Sequence, residues 1–160
     1  MSPRTRTEEF AVLAPQHLCF RSVAAPPSPP CGGAVRHVVF AFAPDLARVA
    51  EVRHSVTEVL EYWGADDGLC LTAPLVVSEL VTNSVVHASS SPDISVLIEY
   101  AGGVHIAVRD TSPGLPAPSS DLTGDAECGR GLILVAALSA AWGTTVYGDG
   151  SKVVWANLVL

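Results

Sequence analysis

The most constraining feature of the sequence is a long apolar segment that polar residues interrupt at a regular spacing. In residues 71–90, LTAPLVVSELVTNSVVHASS, apolar side chains fall on nearly every side of a helix, which predicts a largely buried helix. Glu79, Asn83 and His87 follow one another at four-residue intervals, so they lie in one stripe along one face. Because a buried carboxylate and amide are costly without partners, the stripe faces either a polar cavity or solvent. The helix alone does not decide between these two arrangements.

The residues before this helix predict one strand and one further helix. The run Val35–Phe42 is rich in β-branched and aromatic residues, which is typical of a strand. The segment Asp45–Gly64 has apolar residues at three- and four-residue spacing, with Asp45 as a candidate cap, and predicts an amphipathic helix. The sequence ADDG then predicts a turn, after which the buried helix is expected to begin at Thr72 or Pro74 and to continue to about Ala88.

The second half of the chain predicts two hairpins separated by a long loop and a short helix. The expected elements are the strands Ile94–Tyr100 and Val104–Asp110, the helix Gly131–Ala141, and the strands Trp142–Tyr147 and Val153–Val159. Residues 111–128 are rich in Pro, Ser and Gly, and loops of that length in compact domains are often functional lids. The order of elements predicts an α+β two-layer sandwich: a mixed, mostly antiparallel sheet with helices on one face.

The chain divides into a short N-terminal segment and one domain. Its 160 residues suit a single domain with a sizeable core, and 49% of them are hydrophobic. The sequence AAPPSPPCGG closes residues 1–34, and this composition predicts a disordered Pro-rich tail. The folded domain is expected to comprise residues 35–160.

Charge and cysteine usage exclude several classes of function. The chain has only nine Lys and Arg residues, a net charge of −7 and a pI near 5.0, which argues against nucleic acid or an anionic membrane as a direct ligand. A nucleotide would have to be held by backbone amides and a metal ion. The sequence lacks a signal peptide and a run of about 18 apolar residues, and its four cysteines form no CxxC pair. These features favour a cytoplasmic protein.

Two further clusters are candidate ligand-binding segments. Asp110 ends the predicted strand VHIAVRD and precedes the turn-rich segment TSPGLP, where its carboxylate is placed to accept a hydrogen bond from a ligand or to initiate a turn. Gly129, Arg130 and Gly131 directly precede the helix LILVAALSA. Glycines at the start of a helix allow close approach of an anion to exposed N–H groups, although this pattern is weak by itself.

Together these segments resemble the gyrase, chaperone, histidine-kinase and mismatch-repair (GHKL) ATPases, in particular the stand-alone anti-sigma-factor serine kinases. ELVTNSVVHA resembles the N box of that superfamily, VRDTSPGLP its first glycine box and GRGLILV its second. GDGSKVVWANL is similar to the closing strand pair of the stand-alone bacterial members. The four motifs occur in the family's order, and the resemblance covers residues 35–160.

The resemblance implies ATP and Mg²⁺ as cofactors and a role for each matching residue. Asn83 would coordinate Mg²⁺, and Glu79 would act as general base or position the nucleophile. The implied nucleotide contacts are Asp110 to the adenine amine, Gly114 in the adenine pocket, Gly129 and Gly131 in the phosphate lid, Arg130 at a phosphate, and Thr144 or Thr145 at the adenine through a water. The resemblance implies a sigma factor and an anti-anti-sigma (STAS-type) protein as partners, and a second copy of the chain as a candidate partner in a homodimer.

The first glycine box departs from the family pattern at one position. The family usually has Asp-x-Gly-x-Gly, whereas Ser112 stands in place of the first glycine in DTSPG. A serine restricts the backbone there. Two hypotheses therefore stand beside each other: a protein-serine kinase that binds a sigma factor, and a non-catalytic, nucleotide-gated module that sequesters a regulatory partner. An interaction domain without nucleotide is the third.

Overall fold

A computed structural model describes residues 35–87, 93–111 and 130–159. Within these ranges the chain forms five strands and three helices, in the order predicted from the sequence. They are β1 (Arg36–Phe42), α1 (Ala47–Trp63), α2 (Asp67–His87), β2 (Ile94–Tyr100), β3 (Val104–Asp110), α3 (Arg130–Leu138), β4 (Ala141–Val146) and β5 (Lys152–Leu158). The expected tail, residues 1–34, and the expected lid after Thr111 lie outside the described residues.

The five strands form one sheet in the order β1-β2-β3-β5-β4. All four strand pairs are antiparallel, so the predicted mixed or antiparallel sheet is antiparallel throughout. Gly102, with a φ of 82°, forms the turn between β2 and β3, a backbone conformation that glycine adopts readily. The central strand β3 ends at Asp110, which pairs in register with Lys152 of β5.

The three helices cover one face of the sheet and form the main core with it. Side chains at alternate positions of the strands point into this layer, where Val104, Ile106 and Val108 of β3 are buried. The central helix α2 packs against β2, β3 and β5 and has α1 and α3 on its two sides. The predicted α+β two-layer sandwich is confirmed.

Helix α1 begins and ends close to the predicted residues. The Asp45 carboxylate accepts a hydrogen bond from the Ala47 N–H at 2.9 Å, one residue before the N-cap position. Gly64 ends the helix in the left-handed conformation, with a φ of 71°. Val52, Val56 and Leu60, at four-residue spacing, are fully buried in the core.

Helix α2 begins at Asp67, so its predicted start at Thr72 or Pro74 is wrong. The Asp66 carboxylate accepts a hydrogen bond from the Gly68 N–H at 2.8 Å and caps the first turn. Pro74 therefore lies inside the helix, where it removes one backbone donor. Leu69 and Ala73 are buried in the added turns, and their packing offsets that loss.

By length and composition alone, α2 is also apolar enough to cross a membrane. Half of the 18-residue window that meets this criterion is buried inside the protein, and its side chains Val76, Val77 and Val81 are fully enclosed by the other elements. The apolar character of α2 is that of a helix at the centre of a core.

The opposite face of the sheet carries a second, smaller apolar cluster. Val39, Leu97, Ala107 and Val153 are buried there and pack with Trp155. Among the described residues, the helices contribute to the main core and not to this cluster. Two polar residues of this outer face, Glu99 and His105, are also buried and stand opposite each other on β2 and β3.

Candidate functional site

The first element of the site is a contact between the predicted N box and the predicted second glycine box. Gly131 is the second residue of α3, and a Cβ atom built on it would collide with Oε2 of Glu79 on α2. The Glu79 carboxylate therefore lies at the N-terminal end of α3. The first N–H groups of a helix have no partner within the helix, and their dipole favours an anion.

Asn83 lies one turn further along the same face of α2. Glu79 and Asn83 are both half-buried, whereas His87 at the end of the stripe is exposed. Within residues 35–87, 93–111 and 130–159, neither the Glu79 side chain nor the Asn83 side chain has a hydrogen bond or an ion pair. A carboxylate and an amide at the margin of a core without protein partners are suited to a polar ligand.

Asp110 is tied to the same helix at the next residue. Its side chain is fully buried, and its Oδ2 accepts a hydrogen bond of 2.7 Å from the Ser84 hydroxyl. Its Oδ1 lies 3.6 Å from Nζ of Lys152, which is also buried. Because Ser84 directly follows Asn83, the end of β3 meets α2 beside the N-box stripe.

Helix α2 thus brings three of the predicted segments together. It contacts the start of α3 through Glu79 and the end of β3 through Ser84, and Asn83 lies between these two contacts. The hydrogen bond between Ser84 and Asp110 places the end of β3 against α2 at the residue that follows Asn83.

The remaining predicted residues fall in three different places. Gly114 and Gly129 lie outside the described residues. Arg130 is the first residue of α3. Thr145 pairs with Val153 of the outer apolar cluster, so it faces away from Asp110, while Thr144 pairs with Val154 on the face that carries Asp110. The geometry separates the two threonines that the sequence left as alternatives.

Two polar residues of the site were missed by the sequence analysis. Ser84 lies within the segment that resembles the N box, directly after Asn83, and the sequence analysis gave it no role. Lys152 opens the strand KVVWANL, in which Val154 and Ala156 point into the core at alternate positions. That alternation was the available signal, because it places the lysine on the buried face.

An ionic network holds β3 and β5 together next to Asp110 and Lys152. The Arg109 guanidinium donates to the Ser151 hydroxyl and to the Asp149 carboxylate, at 3.0 and 2.7 Å from Nη2. The hydroxyl and the N–H of Ser151 donate to Asp149 as well. These hydrogen bonds from Ser151, followed by the charge of Arg109, lower the pKa of Asp149. The network lies at the end of the β3–β5 pair at which Asp110 stands opposite Lys152.

The donor groups present fit a magnesium ion that is shared with a phosphate ligand. Among the described residues, no group of three or more His, Cys, Asp or Glu side chains is placed to hold a metal by itself. Asn83 offers an amide oxygen, and Mg²⁺ in proteins commonly takes few protein oxygens together with phosphate and water. An ion at Asn83 would therefore depend on a nucleotide for most of its ligands.

Comparison with known proteins identifies the family to which this chain belongs. The family model for the histidine kinase-like ATPase domain matches residues 42–157, and the chain therefore belongs to this family. The predicted resemblance to GHKL ATPases is confirmed. No curated protein matches the sequence.

A solved structure shares the fold. It is the crystal structure of the RsbU and RsbW domains of Rv1364c from Mycobacterium tuberculosis, with a TM-score of 0.52 and 19% sequence identity. The similarity covers 76% of this chain and 32% of that one, so this chain corresponds to about a third of the larger protein. At this level of identity the likeness concerns the fold.

Proposed function

We propose that this protein binds ATP together with Mg²⁺ between α2, α3 and the end of β3. The observation that carries the proposal is the position of α2, whose Glu79 contacts Gly131 while the neighbouring Ser84 binds Asp110. The family match supports a nucleotide as the ligand. Asn83 would hold the metal, whose charge would neutralise the phosphates, and the backbone of α3 near Gly131 would approach the phosphates closely. Asp110 would accept a hydrogen bond from the adenine amine.

We further propose that the protein is an anti-sigma factor with protein-serine kinase activity. The similarity to the RsbU and RsbW domain structure supports this class, and the protein partners would be a sigma factor and an anti-anti-sigma protein in the cytoplasm. In the transfer step, the serine hydroxyl oxygen of the partner protein forms a bond to the γ-phosphorus. The bond from that phosphorus to the bridging oxygen breaks, and ADP leaves with its electron pair. Glu79 takes the serine proton.

Titration calorimetry with ATP tests the binding step. Asn83→Ala should weaken ATP binding in the presence of Mg²⁺ by more than about tenfold and should have little effect in EDTA. Thr82→Ala is the matched control, because Thr82 is the adjacent half-buried residue of α2 and lies outside the stripe. Equal affinities of all three proteins in Mg²⁺ would contradict the assignment of Asn83.

Transfer of labelled γ-phosphate tests the kinase activity. A candidate anti-anti-sigma protein should acquire phosphoserine with the unaltered protein and none with Glu79→Gln, which keeps the shape of the side chain but not its basicity. Should ATP bind normally while no serine is ever labelled, the protein is instead a non-catalytic, nucleotide-gated binding module.

A further inference from the structure

The outer face of the sheet is buried although no described helix or strand lies over it. Leu97 on β2 is 8% exposed, Val39 on β1 7% and Ala107 on β3 4%. Among residues 35–87, 93–111 and 130–159, the three helices pack into the main core on the other face and not into this cluster. An antiparallel sheet with helices on one face ordinarily has its other face in water, which leaves the side chains there partly exposed. The burial of these three side chains therefore requires a cover.

The buried apolar side chains form a row that crosses the sheet. Val39 stands opposite Leu97, Leu97 opposite Ala107, and Ala107 opposite Trp155 of β5. The Trp155 ring lies against Gly143 of β4, where an added Cβ would come within 2.8 Å of Cζ2. Because β4 lies on the far side of β5 from β1 and β2, the indole extends away from Leu97 and Val39. The cover over those two residues must come from another part of the molecule.

Two polar side chains in the adjacent row are buried as well. Glu99 is 6% exposed and His105 2%, and they stand opposite each other on β2 and β3. Nδ1 of His105 lies 2.5 Å from Oδ1 of Asn157, but Nε2 of His105 and Oε2 of Glu99 are buried without a hydrogen-bond partner. A carboxylate on an open sheet face would keep its water, since losing it unpaired is costly. The cover therefore extends over this row.

We propose that residues 10–20 of this chain, FAVLAPQHLCF, are the cover of the outer face. This segment has no Lys, Arg, Asp or Glu, and its large apolar residues are Phe10, Val12, Leu13, Leu18 and Phe20. Side chains of these types are usually buried, and disordered segments are poor in them. The Pro-rich sequence that predicts a disordered tail is confined to residues 24–33.

The chain connects this segment to the right edge of the sheet. Residues 21–34 join it to β1, the edge strand that carries Val39. A chain of that length spans up to about 46 Å when extended. Five strands at a spacing of about 4.8 Å make a sheet only about 20 Å across. The segment can therefore reach every strand of the face.

The other two segments outside the described ranges suit the outer face less well. Residues 88–92, ASSSP, contain no large aliphatic or aromatic side chain. Residues 112–129 have two leucines as their large apolar residues, and they lead into α3, which packs on the helical face. Residues 10–20 are thus the apolar part of the chain that has no assigned place.

Methyl NMR with a soluble gadolinium chelate tests the proposal on the 160-residue chain, because the chelate broadens the signals of methyl groups that solvent reaches. In the unaltered protein, the Leu97 signals should stay as sharp as those of Val56 in the main core. In the double variant Leu13→Asp, Leu18→Asp, the Leu97 signals should lose most of their intensity. Sharp Val56 signals in that variant would show that the main core is intact.

A matched control places the same two charges outside the segment. Ala24→Asp with Ala25→Asp lies in the Pro-rich sequence and should leave Leu97 protected from the chelate. Leu13→Ser with Leu18→Ser provides the same comparison if the aspartate variant does not fold.

Three results would overturn the proposal. Broadening of Leu97 in the unaltered protein would show that the outer face is open to solvent. Equal protection of Leu97 in the segment variants and in the control would show that another part of the chain covers the face. Protection that disappears on dilution, together with a fall from dimer to monomer mass in light scattering, would show that a second copy of the chain is the cover.

Discussion

Gly131 lies against the carboxylate of Glu79, so closely that a methyl group on its Cα would overlap Oε2. The two residues belong to different helices, and the contact joins the N-box helix α2 to the first turn of α3. The overlapping atom is the far end of a flexible side chain, whereas Gly131 is held in helical backbone. A side chain at position 131 would therefore move the Glu79 carboxylate and leave the fold intact.

The first prediction concerns Gly131→Ala. The change should leave the free energy of unfolding within about 1 kcal/mol, because the better helix propensity of alanine offsets the displacement of Glu79. The rate of phosphate transfer should nevertheless fall by tenfold or more, since about 1.4 kcal/mol of lost positioning corresponds to a factor of ten. Urea denaturation and the labelled-phosphate assay measure the two effects.

A double-mutant cycle shows whether the contact is responsible. In a Glu79→Ala background nothing remains for the new methyl group to displace, so Gly131→Ala should then be stabilising by about 0.5 kcal/mol. An identical effect of Gly131→Ala in both backgrounds would show that the two residues are not coupled.

The second prediction concerns the hydrogen bond between Ser84 and Asp110. Ser84→Ala should lower the free energy of unfolding by about 1.5–3 kcal/mol, the range for a hydrogen bond to a charged group. Ser78→Ala is the matched control on the same helix, because its hydroxyl donates to the backbone carbonyl of Pro74 and its loss should change the stability by less than about 0.5 kcal/mol. Urea denaturation of both variants provides the comparison, and equal losses would show that the bond to Asp110 has no special weight.

The order and type of the elements were predictable because their patterns are local. The alternation in β2 and β3 and the four-residue spacing in α1 each follow from the shape of one element, and the structure has these elements close to the expected bounds. Pro74 suggested a helix start that is about two turns too late. The helix begins earlier because Asp66 caps its first turn and because Leu69, in the added turn, is buried in the core. Tertiary packing overrode the local signal there.

The sequence predicted only those residues of the candidate site that lie in recognisable motifs. Glu79, Asn83, Asp110 and Gly131 carry the family pattern, and the structure brings their segments together at α2. The face of the sheet on which Thr145 lies, and the residue that stands opposite Asp110, depend on how the strands pair. The sequence of one strand does not define that register by itself. Lys152 was therefore missed, although its place in an alternating strand was visible.

The third prediction is the acid titration of Asp149. Hydrogen bonds from Ser151, with a smaller contribution from Arg109, lower the pKa of Asp149 in the folded protein. The ionised carboxylate therefore stabilises the fold above the pKa of the unfolded state, and this stabilisation is lost as the pH falls through the lowered folded value. Carbon-detected NMR titration should show that Ser151→Ala raises the pKa of Asp149 toward its ordinary value.

Two variants test the cause of this shift. Arg109→Gln should raise the pKa of Asp149 less than Ser151→Ala does, because the hydrogen bonds of Ser151 are the larger cause. In Asp149→Asn, the stability difference from the unaltered protein should shrink as the pH falls into the acid range. A larger shift for Arg109→Gln would show that Arg109, through its charge and its hydrogen bond to Asp149, lowers this pKa more than Ser151 does.

The fourth prediction concerns Glu99 on the outer face of the sheet. Its Oε2 is buried without a hydrogen-bond partner, and so is Nε2 of His105, the residue opposite it. A buried polar atom left unpaired destabilises a fold by about 1–3 kcal/mol, so Glu99→Leu should raise the free energy of unfolding by at least about 1 kcal/mol. Glu58→Leu, at an exposed position of α1, should change it by less than about 0.5 kcal/mol. A loss of stability in Glu99→Leu under urea denaturation would contradict this prediction and would show that the glutamate stabilises the outer face more than a leucine does.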